Sequence, residues 1–388
     1  MVVSESEGKS RLAKKIRVGV IFGGRSGEHD VSIRSALSVI EKIDSQKYEV
    51  VPVAIGKDGR WLSPSEAAAL LPVDTSQKLS PSVTQSKPED IALIGDPSYR
   101  GLIKLSRDNS SAESLDVVFP VLHGTYGEDG TIQGLFEMAG IPYVGCGVLA
   151  SACGMDKVLM KSLFRDAGLP ICKYTWFLRE HWDKDRTKVL RKVSKDIGFP
   201  CFVKPANLGS SVGISKADNR SGLIESINLA ARYDRKIIVE EAVDAREIEC
   251  AVLGNEEVEA SLPGEYVILE KSAAFLDYTE KYSSTGHVKF IVPAKISKAL
   301  IKRIQKLAVR AFQAVDGSGL ARVDFFLRHD NGELLVNELN TLPGLTDVSG
   351  YPQMWEASGL PFPRVIDRLI ELAFERHREK SRNETTRE

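Results

Sequence analysis

The sequence predicts an α/β chain, α+β in its later part, whose first third is built on a parallel sheet. Three observations carry this. The stretch "KIRVGVIFGG" is an unbroken apolar run that stops on a Gly-Gly turn, the pattern of a strand buried on both faces. A helical pattern follows, and "YEVVPVAIG" reads as a second buried strand; strand, glycine turn, helix, strand is a βαβ unit, so its strands run parallel. The 388 residues suffice for two or three domains, and 43% of them are hydrophobic, enough to fill a core in each.

The remaining elements follow in order. The first helix puts Val31, Ala36, Leu37, Ile40 and Ile43 on one side. From Leu71 to Pro97 the chain is rich in Ser, Pro, Thr and Gln with little periodicity, which predicts a surface insertion. "LDVVFPVLHG" is another buried strand, "TIQGLFEMAG" a helix behind it and "IPYVG" a short strand. A new unit begins near Ser151 with the helical "DKVLMKSLFRDAGLP", stopped by Gly-Leu-Pro. "FPCFVKP" and "KIIVEEAV" are strands flanking the helical "SGLIESINLAARY", and "REIECAVLG" alternates as a strand. "ISKALIKRIQKLAVRAFQAVDG" is a long amphipathic helix with Leu300, Ile304, Leu307, Ala311 and Val315 inward. "ARVDFFL" and "LLVNELN" are strands on either side of "RHDNGE", and the end of the chain is a charged, frayed tail.

Composition excludes several function classes. A formal net charge of −1 provides no basic field for nucleic acid or an acidic membrane surface. No apolar stretch approaches the ~20 residues of a membrane span. The start, "MVVSESEGKSRLAKK", lacks an apolar h-region and reads as a loose polar segment rather than a signal peptide. Cys146, Cys153, Cys172, Cys201 and Cys250 form no CxxC pair, and four of them lie in or beside apolar stretches, the pattern of reduced cysteines in a cytoplasmic protein.

Chemistry concentrates in the last strand pair. Asp330-Asn331-Gly332 is a three-residue hairpin signal, with Gly placed for φ > 0. A hairpin centred on Asn331 sets His329 opposite Glu333, Leu327 opposite Leu335 and Asp324 opposite Glu338. Opposed carboxylates with Cβ atoms roughly 5 Å apart repel unless a cation sits between them. Period 2 adds Arg322 and Asn340 to the same face. One acidic pair alone reads first as a solvated strand face; four polar groups on one face of an apolar hairpin point instead to a site. All-oxygen ligation suits Mg²⁺, which takes one or two carboxylates plus substrate phosphates.

"KPANLGSSVGIS" adds a lysine at a strand end followed by glycines and hydroxyls. In a P-loop the lysine comes after the glycines, so Lys204 is not a P-loop lysine. It can still act as a point charge toward a phosphate, with the Gly209–Gly213 loop folding over phosphates through backbone N–H groups. Alone, the loop is equally an ordinary turn. Glu240 and Glu241 end the next strand and could edge an adenine slot, and Glu247 could accept from ribose hydroxyls; each alone reads first as a plain surface charge. His123 ends a strand before Gly124, Gly127 and Gly130, where ligands gather in open α/β sheets. Glu28 opens the first helix, where an acid also suits the helix dipole.

Taken together, these stretches resemble the D-alanine–D-alanine ligases of the ATP-grasp superfamily. The resemblance runs from roughly Ile16 to Phe374 and rests on "FGGRSGEHDVS", "LHGTYGEDGTIQG", "MDKVLMK", "FVKPANLGSSVGIS", "DYTEKY", "ARVDFF" and "NELNTLPGLT" in the family order. It implies an ATP-grasp fold behind an N-terminal Rossmann-like (pre-ATP-grasp) domain. The implied divisions are a disordered start at 1–15, a substrate-binding domain at 16–150, a central ATP-grasp subdomain at 151–242, a C-terminal one with the metal site at 243–376 and a polar tail at 377–388. The implied activity is ATP-dependent ligation of two D-alanines through a D-alanyl phosphate, for peptidoglycan precursor synthesis, by a cytoplasmic homodimer that binds neither nucleic acid nor membrane.

By the same resemblance, Asp324, Glu338 and Asn340 hold two Mg²⁺ (or Mn²⁺). Lys157, Lys204 and Lys281 contact ATP phosphates, with Ser210 and Ser211 in the lid. Glu240, Glu241, Val243, Glu247 and Phe275 surround the nucleoside. Arg322 and the Gly344 N–H stabilise the oxyanion, Glu28 holds the first D-alanine's ammonium, and His123, Ser349 and Gly350 lie at the second substrate. Ser210 and Tyr282 resemble the serine and tyrosine that link to Glu28 and close a mobile loop. Depsipeptide-forming relatives typically lack that tyrosine, so Tyr282 favours an amine nucleophile over D-lactate. Gly350 departs from the family pattern, which carries a larger side chain there.

Three alternatives are weighed: a D-alanine–D-lactate or D-alanine–D-serine ligase, a nicotinamide-dependent dehydrogenase suggested by Gly23, Gly24 and Gly27, and an inactive nucleotide-binding regulator, against which the full set of ligand-type residues argues. The dehydrogenase reading is weak, because the spacing is not G-x-G-x-x-G and it leaves the Asp324–Glu338 hairpin unused.

Overall fold

The computed structural model describes residues 14–99, 101–105, 112–209, 212–268 and 288–385. The expectation of a disordered start therefore falls almost wholly outside the described residues. The chain opens with β1 (Ile16–Gly23), α1 (His29–Lys42), β2 (Tyr48–Ile55) and β3 (Trp61–Leu62). The short helices α2 (Pro64–Ala69), α3 (Val73–Ser76) and α4 (Pro81–Thr84) precede β4 (Ile91–Leu93), β5 (Gly101–Lys104), β6 (Ala112–Ser114), β7 (Val117–Val121) and α5 (Thr131–Met138). One sheet has the order β3-β2-β1-β7, and β1 runs parallel to both β2 and β7. The βαβ reading of the sequence is therefore present.

A second unit contains α6 (Val148–Met155), α7 (Lys157–Asp166), β8 (Tyr174–Leu178), α8 (Arg179–Lys184), α9 (Arg186–Asp196), β9 (Cys201–Pro205), β10 (Ser215–Ala217), α10 (Arg220–Ala230) and β11 (Lys236–Glu241). Its antiparallel sheet has the order β10-β9-β11-β8. The third contains β12 (Ala245–Gly254), β13 (Val258–Ala260), β14 (Gly264–Ile268), β15 (Val288–Ile291), α11 (Lys298–Ala314), β16 (Gly319–Arg328), β17 (Leu334–Asn340), α12 (Gly350–Ala357) and α13 (Phe362–Lys380). Its sheet follows β15-β14-β12-β16-β17, with β13 pairing on β12. Among the described residues no helix is long and apolar enough to cross a membrane.

Alternation decides what each sheet face does. On the third sheet, Ile248, Cys250, Val323, Phe325 and Val336 point one way and pack with Ile304, Leu307, Ala311 and Phe312 of α11. Full burial of such a side chain stabilises by roughly 1.5–3 kcal/mol, so this face is fixed by apolar packing. The opposite face, by period 2, receives Glu247, Glu249, Arg322, Asp324, Glu338 and Asn340. The second sheet works likewise: Val203, Ile237 and Val239 join the core with α10, leaving Lys204 and Glu240 for the other face.

Three expectations change. The segment Leu71 to Pro97 is not unstructured surface: Leu71, Leu79 and Val83 are buried in the same core as Val18 and Phe119. Its helices are four residues long, too short to show a period, and begin at Pro72-Val73 and Ser80-Pro81. The charged end is helical through Lys380, four residues into the expected tail. It docks on the first unit, where Lys380 pairs with Glu137 at 2.7 Å and Arg376 donates to the carbonyls of Tyr143 and Gly145. In the hairpin, Asp324 does face Glu338 and Arg322 faces Asn340, but Leu327 faces Leu334 rather than Leu335. Arg328 N–H bonds Glu333 O at 2.9 Å, so His329–Gly332 form a four-residue loop. A bulge absorbs the offset between Asp324 and Phe325, where Asn337 is left without an opposite residue.

Candidate active site

A cleft of about 150 Å³ lies where the three units meet, lined among others by Glu28, His123, Lys157, Arg322, Glu338 and Asn340. Its first wall comes from the carboxyl ends of β1 and β7, the position where ligands collect in open α/β sheets. Glu28 sits before α1 but makes no side-chain cap to it. A Cβ on Gly124 would lie 3.1 Å from one Glu28 carboxylate oxygen, and a Cβ on Gly209 3.2 Å from the other. Bare backbone at both positions thus lets the chain at Gly124 and at Gly209 approach this acid closely. Burial, and then the charge of Glu128, push the Glu28 carboxyl up to about 7, against the opposing pull of His123, Lys157 and Arg322.

His123 is buried, with Nε2 3.1 Å from Ser35 Oγ and Nδ1 3.1 Å from the Leu342 carbonyl. The carbonyl can only accept, so Nδ1 carries the proton. Glu128 Oε1 stands 3.4 Å from the same nitrogen. Burial works to lower this imidazole's pKa, yet the hydrogen bond and charge of Glu128 outweigh it and the pKa is raised.

The second wall is cationic. Asp156 caps α7 by accepting from Val158 N at 3.0 Å and Leu159 N at 3.1 Å. That cap fixes the helix so that Lys157 and Lys161, four apart, share one side. Lys157 Nζ donates to Leu208 O at 2.8 Å and lies 3.8 Å from Glu338. Lys161 Nζ reaches Glu240 at 3.2 Å and the Asn337 carbonyl, which the bulge leaves available, at 2.9 Å. Lys204 holds the other Glu240 oxygen at 2.7 Å. Although burial works to raise it, the two ammonium groups keep the Glu240 carboxyl at about 2. One helix therefore ties the second sheet to the third.

The third wall is the hairpin. Arg322 donates from Nε and Nη2 to the two oxygens of Asp324, both at 2.6 Å. This guanidinium stands where the opposed Asp324 and Glu338 require positive charge. Asn340 Oδ1 accepts from Leu342 N at 2.9 Å on the same strand end. Among the described residues no three His, Cys, Asp or Glu cluster as a ligand set. Two carboxylates with one amide oxygen are nonetheless chemically suited to a hard dication that also takes phosphate oxygens.

The other expected site residues are distributed as follows. Gly344 lines the same cleft. Glu241 accepts from Lys173 N and Arg328 Nη2, each at 2.9 Å, so its carboxylate joins strands. Val243 follows β11, and Glu247 faces Phe326 on the polar face of the third sheet. Ser349 is buried and its hydroxyl is 2.7 Å from Thr346 Oγ1. A Cβ at Gly350 would come within 2.8 Å of Glu249 Oε2 and 2.9 Å of the Phe290 ring, which accounts for a glycine there. Ser210, Ser211, Phe275, Lys281 and Tyr282 lie outside the described residues. Sequence reasoning missed Glu128, Lys161 and Glu249. Their signals were an acid within a glycine-rich loop, a lysine one helical turn after Lys157, and an acid two residues after Glu247 on a strand.

Two family descriptions match the chain: "D-ala D-ala ligase N-terminus" over residues 17–146 and "D-ala D-ala ligase C-terminus" over residues 163–371. The D-alanine–D-alanine ligase of Heliobacterium modesticaldum is 48% identical over 373 residues, covering 96% of this chain and 98% of that one. That of Natranaerobius thermophilus is 44% identical over 372 residues, covering 96% and 98%. Among solved structures, the D-alanine–D-alanine ligase of Coxiella burnetii superposes with a TM-score of 0.78 at 36% identity, covering 95% of this chain and 97% of that one. The VanG D-Ala:D-Ser ligase of Enterococcus faecalis gives 0.79 at 36%, covering 93% and 100%. With both halves matched and near-complete coverage at this identity, the chain belongs to the D-alanine–D-alanine ligase family and has its ATP-grasp fold.

Proposed function

We propose that this enzyme joins two D-alanine molecules to D-alanyl-D-alanine with ATP, supplying a peptidoglycan precursor. The observation that carries the reading is the convergence of Glu28, Lys157, Arg322 and Glu338 on one cleft, with Asp324 opposite Glu338 on the neighbouring strand. It offers an anion for an ammonium group beside cations for carboxylate and phosphate, and no nucleophile of the protein's own is needed. The γ-phosphoryl group passes from ATP to the first D-alanine's carboxylate, giving ADP and an acyl phosphate. The amine of the second D-alanine then attacks the acyl carbon and phosphate leaves.

Ionised Glu28 holds the first ammonium. Arg322 and the Gly344 N–H face the oxyanion of the tetrahedral intermediate, where preorganised donors contribute most. Lys157, Lys204 and Lys281 meet the phosphates, and Glu240, Glu241, Val243, Glu247 and Phe275 frame the nucleoside. Ser210, Ser211 and Tyr282 belong to the covering segments, and His123, Ser349 and Gly350 to the second substrate. Asp324, Glu338 and Asn340 would hold two Mg²⁺ or Mn²⁺ ions, which neutralise the charge that phosphoryl transfer gathers.

Incubation with ATP, Mg²⁺ and D-alanine tests the reading. D-Alanyl-D-alanine, ADP and phosphate are expected in equal amounts, and absence of dipeptide overturns it. Parallel incubations with added D-lactate or D-serine identify the competing ligase activities. A cytoplasmic homodimer rests on the family resemblance alone; fractionation and sedimentation test it.

A further inference from the structure

Two hydroxyls on α1 have no part in the reading above. Ala36, Val39 and Ile40 turn α1 to an apolar core, yet Ser32 and Ser35, one helical turn apart, are fully buried as well. A buried hydroxyl is costly unless it is hydrogen-bonded, and both are. Ser32 Oγ accepts from Gly23 N at 2.7 Å and donates to Val121 O, so it joins the ends of β1 and β7. Ser35 Oγ lies 3.1 Å from His123 Nε2 and accepts from Leu345 N in a longer contact of 3.4 Å. His123 Nδ1 in turn donates to Leu342 O at 3.1 Å. The turn Leu342-Pro343-Gly344-Leu345 is thus held at its first carbonyl and at its last N–H by α1 and β7 of the first unit. From the third unit, Asn340 Oδ1 holds Leu342 N at 2.9 Å. Pro343 adds a fixed φ between these anchors. Glu28 stands two helical turns before Ser35, and its carbonyl accepts from Ser32 N at 3.0 Å.

We propose that Ser35 is a positioning residue for the oxyanion: with His123 it clamps the Leu342–Leu345 turn and so sets the Gly344 N–H relative to Glu28. This rests on the reading of Gly344 as an oxyanion donor and of Glu28 as the holder of the first ammonium. The carboxyl carbon that reacts belongs to the molecule whose ammonium Glu28 holds. The donor to its oxygen must therefore be placed with respect to α1, although Gly344 comes from the third unit. Glu28 and Gly344 line the same cleft, and Ser35 and His123 provide the hydrogen-bonded path between their elements. A misplacement of about 1 Å can cost roughly 100-fold in rate, so such a path has a large effect on turnover. The clamp holds in either state of His123. With a neutral ring, Nε2 accepts the Ser35 proton; with a charged ring, Nε2 donates and Ser35 Oγ accepts on its second lone pair.

The test compares ground-state and transition-state binding in the full-length protein. The probe is a dipeptide analogue with a phosphinate at the peptide carbonyl, whose oxygen stands in for the oxyanion. Ser35→Ala should lower kcat and weaken the phosphinate, titrated with ADP present, each about tenfold, the size of one hydrogen bond. The affinity for D-alanine and the KM for ATP should stay within about twofold, since neither contact depends on the turn. Unchanged kcat and phosphinate affinity, or an equal loss for D-alanine, overturns the clamp. In a His123→Leu background, Ser35→Ala should cost little more, because one clamp is already open; losses that multiply show independent roles and also overturn it. Gly344→Pro removes the N–H and separates the two readings. If it keeps the phosphinate affinity, the oxyanion reading and this inference both fall; if it loses the affinity while Ser35→Ala does not, only this inference falls. Should Ser35→Ala fail to fold, Ser35→Cys keeps the shape with a weaker donor. A loss of kcat at unchanged D-alanine affinity then supports the clamp, and no loss refutes it.

Discussion

Burial and a neighbouring acid disfavour the charge that Glu28 needs for an ammonium partner, and Glu28→Gln exposes that cost. Burial and the nearby Glu128 charge push its carboxyl from 4.5 up to about 7. The folded state therefore holds this proton more tightly than the unfolded state does. Below pH 4.5 both states are protonated and the site costs nothing. As pH rises from 4.5 to 7 the unfolded chain releases the proton first, and stability falls. Above pH 7 the full cost is present, at most about 3 kcal/mol when 1.36 kcal/mol corresponds to each pH unit. Gln has the same shape and no charge to desolvate. Glu28→Gln should thus raise the unfolding free energy by up to about 3 kcal/mol at pH 8 and leave it nearly unchanged at pH 4.5. The same substitution should abolish D-alanine binding, because the ammonium loses its counter-charge. Urea unfolding at the two pH values, with calorimetric titration of D-alanine, measures both. A variant no more stable than the parent at pH 8, or equally stabilised at both pH values, would refute the reasoning.

Asp324→Asn should reduce kcat on the order of 100-fold or more, as expected when charge stabilisation of the transition state is removed; near-normal turnover counts against the hairpin as the reacting centre. Lys161→Met leaves Glu240 buried with Lys204 as its remaining lysine and should destabilise by about 3 kcal/mol, the lower end for breaking a buried ion pair. An unchanged urea midpoint would deny α7 its role in tying the sheets. Gly350→Leu forces a side chain against Glu249 and the Phe290 ring and should lose about 1–3 kcal/mol by overpacking, also read from urea unfolding. Tyr282→Phe should shift acceptance from D-alanine toward D-lactate as second substrate, seen in the ratio of dipeptide to depsipeptide, and a constant ratio removes the specificity argument.

Legibility in the sequence followed the range of the interaction. The strand pair around Asp324 and Glu338 could be read because alternation and a turn signal are local. Its register near the turn could not, because a one-residue bulge at Asn337 is invisible to a period-2 count. That bulge leaves a carbonyl for Lys161, 176 residues away in the chain. The segment after Leu71 misled for another reason. Helices of four residues leave no period, and Leu71, Leu79 and Val83 are buried in a core shared with distant elements such as α1 and β1. Glu128 and Glu249 look like solvated acids one residue at a time; they become part of a site through His123 and Arg322.

By itself the sequence determined most of the elements, the parallel first sheet, the family and most of the residue types the chemistry needs. These depend on residue patterns within a few turns of helix or lengths of strand. Only the tertiary structure decided the charge states and the pairings. Glu28 is pushed to about 7 and Glu240 down to about 2, although both are glutamates with an ordinary local setting. The physical reason is that burial and the sign of the neighbouring charges set a carboxyl's proton affinity. In this fold those neighbours arrive from three sheets and one connecting helix.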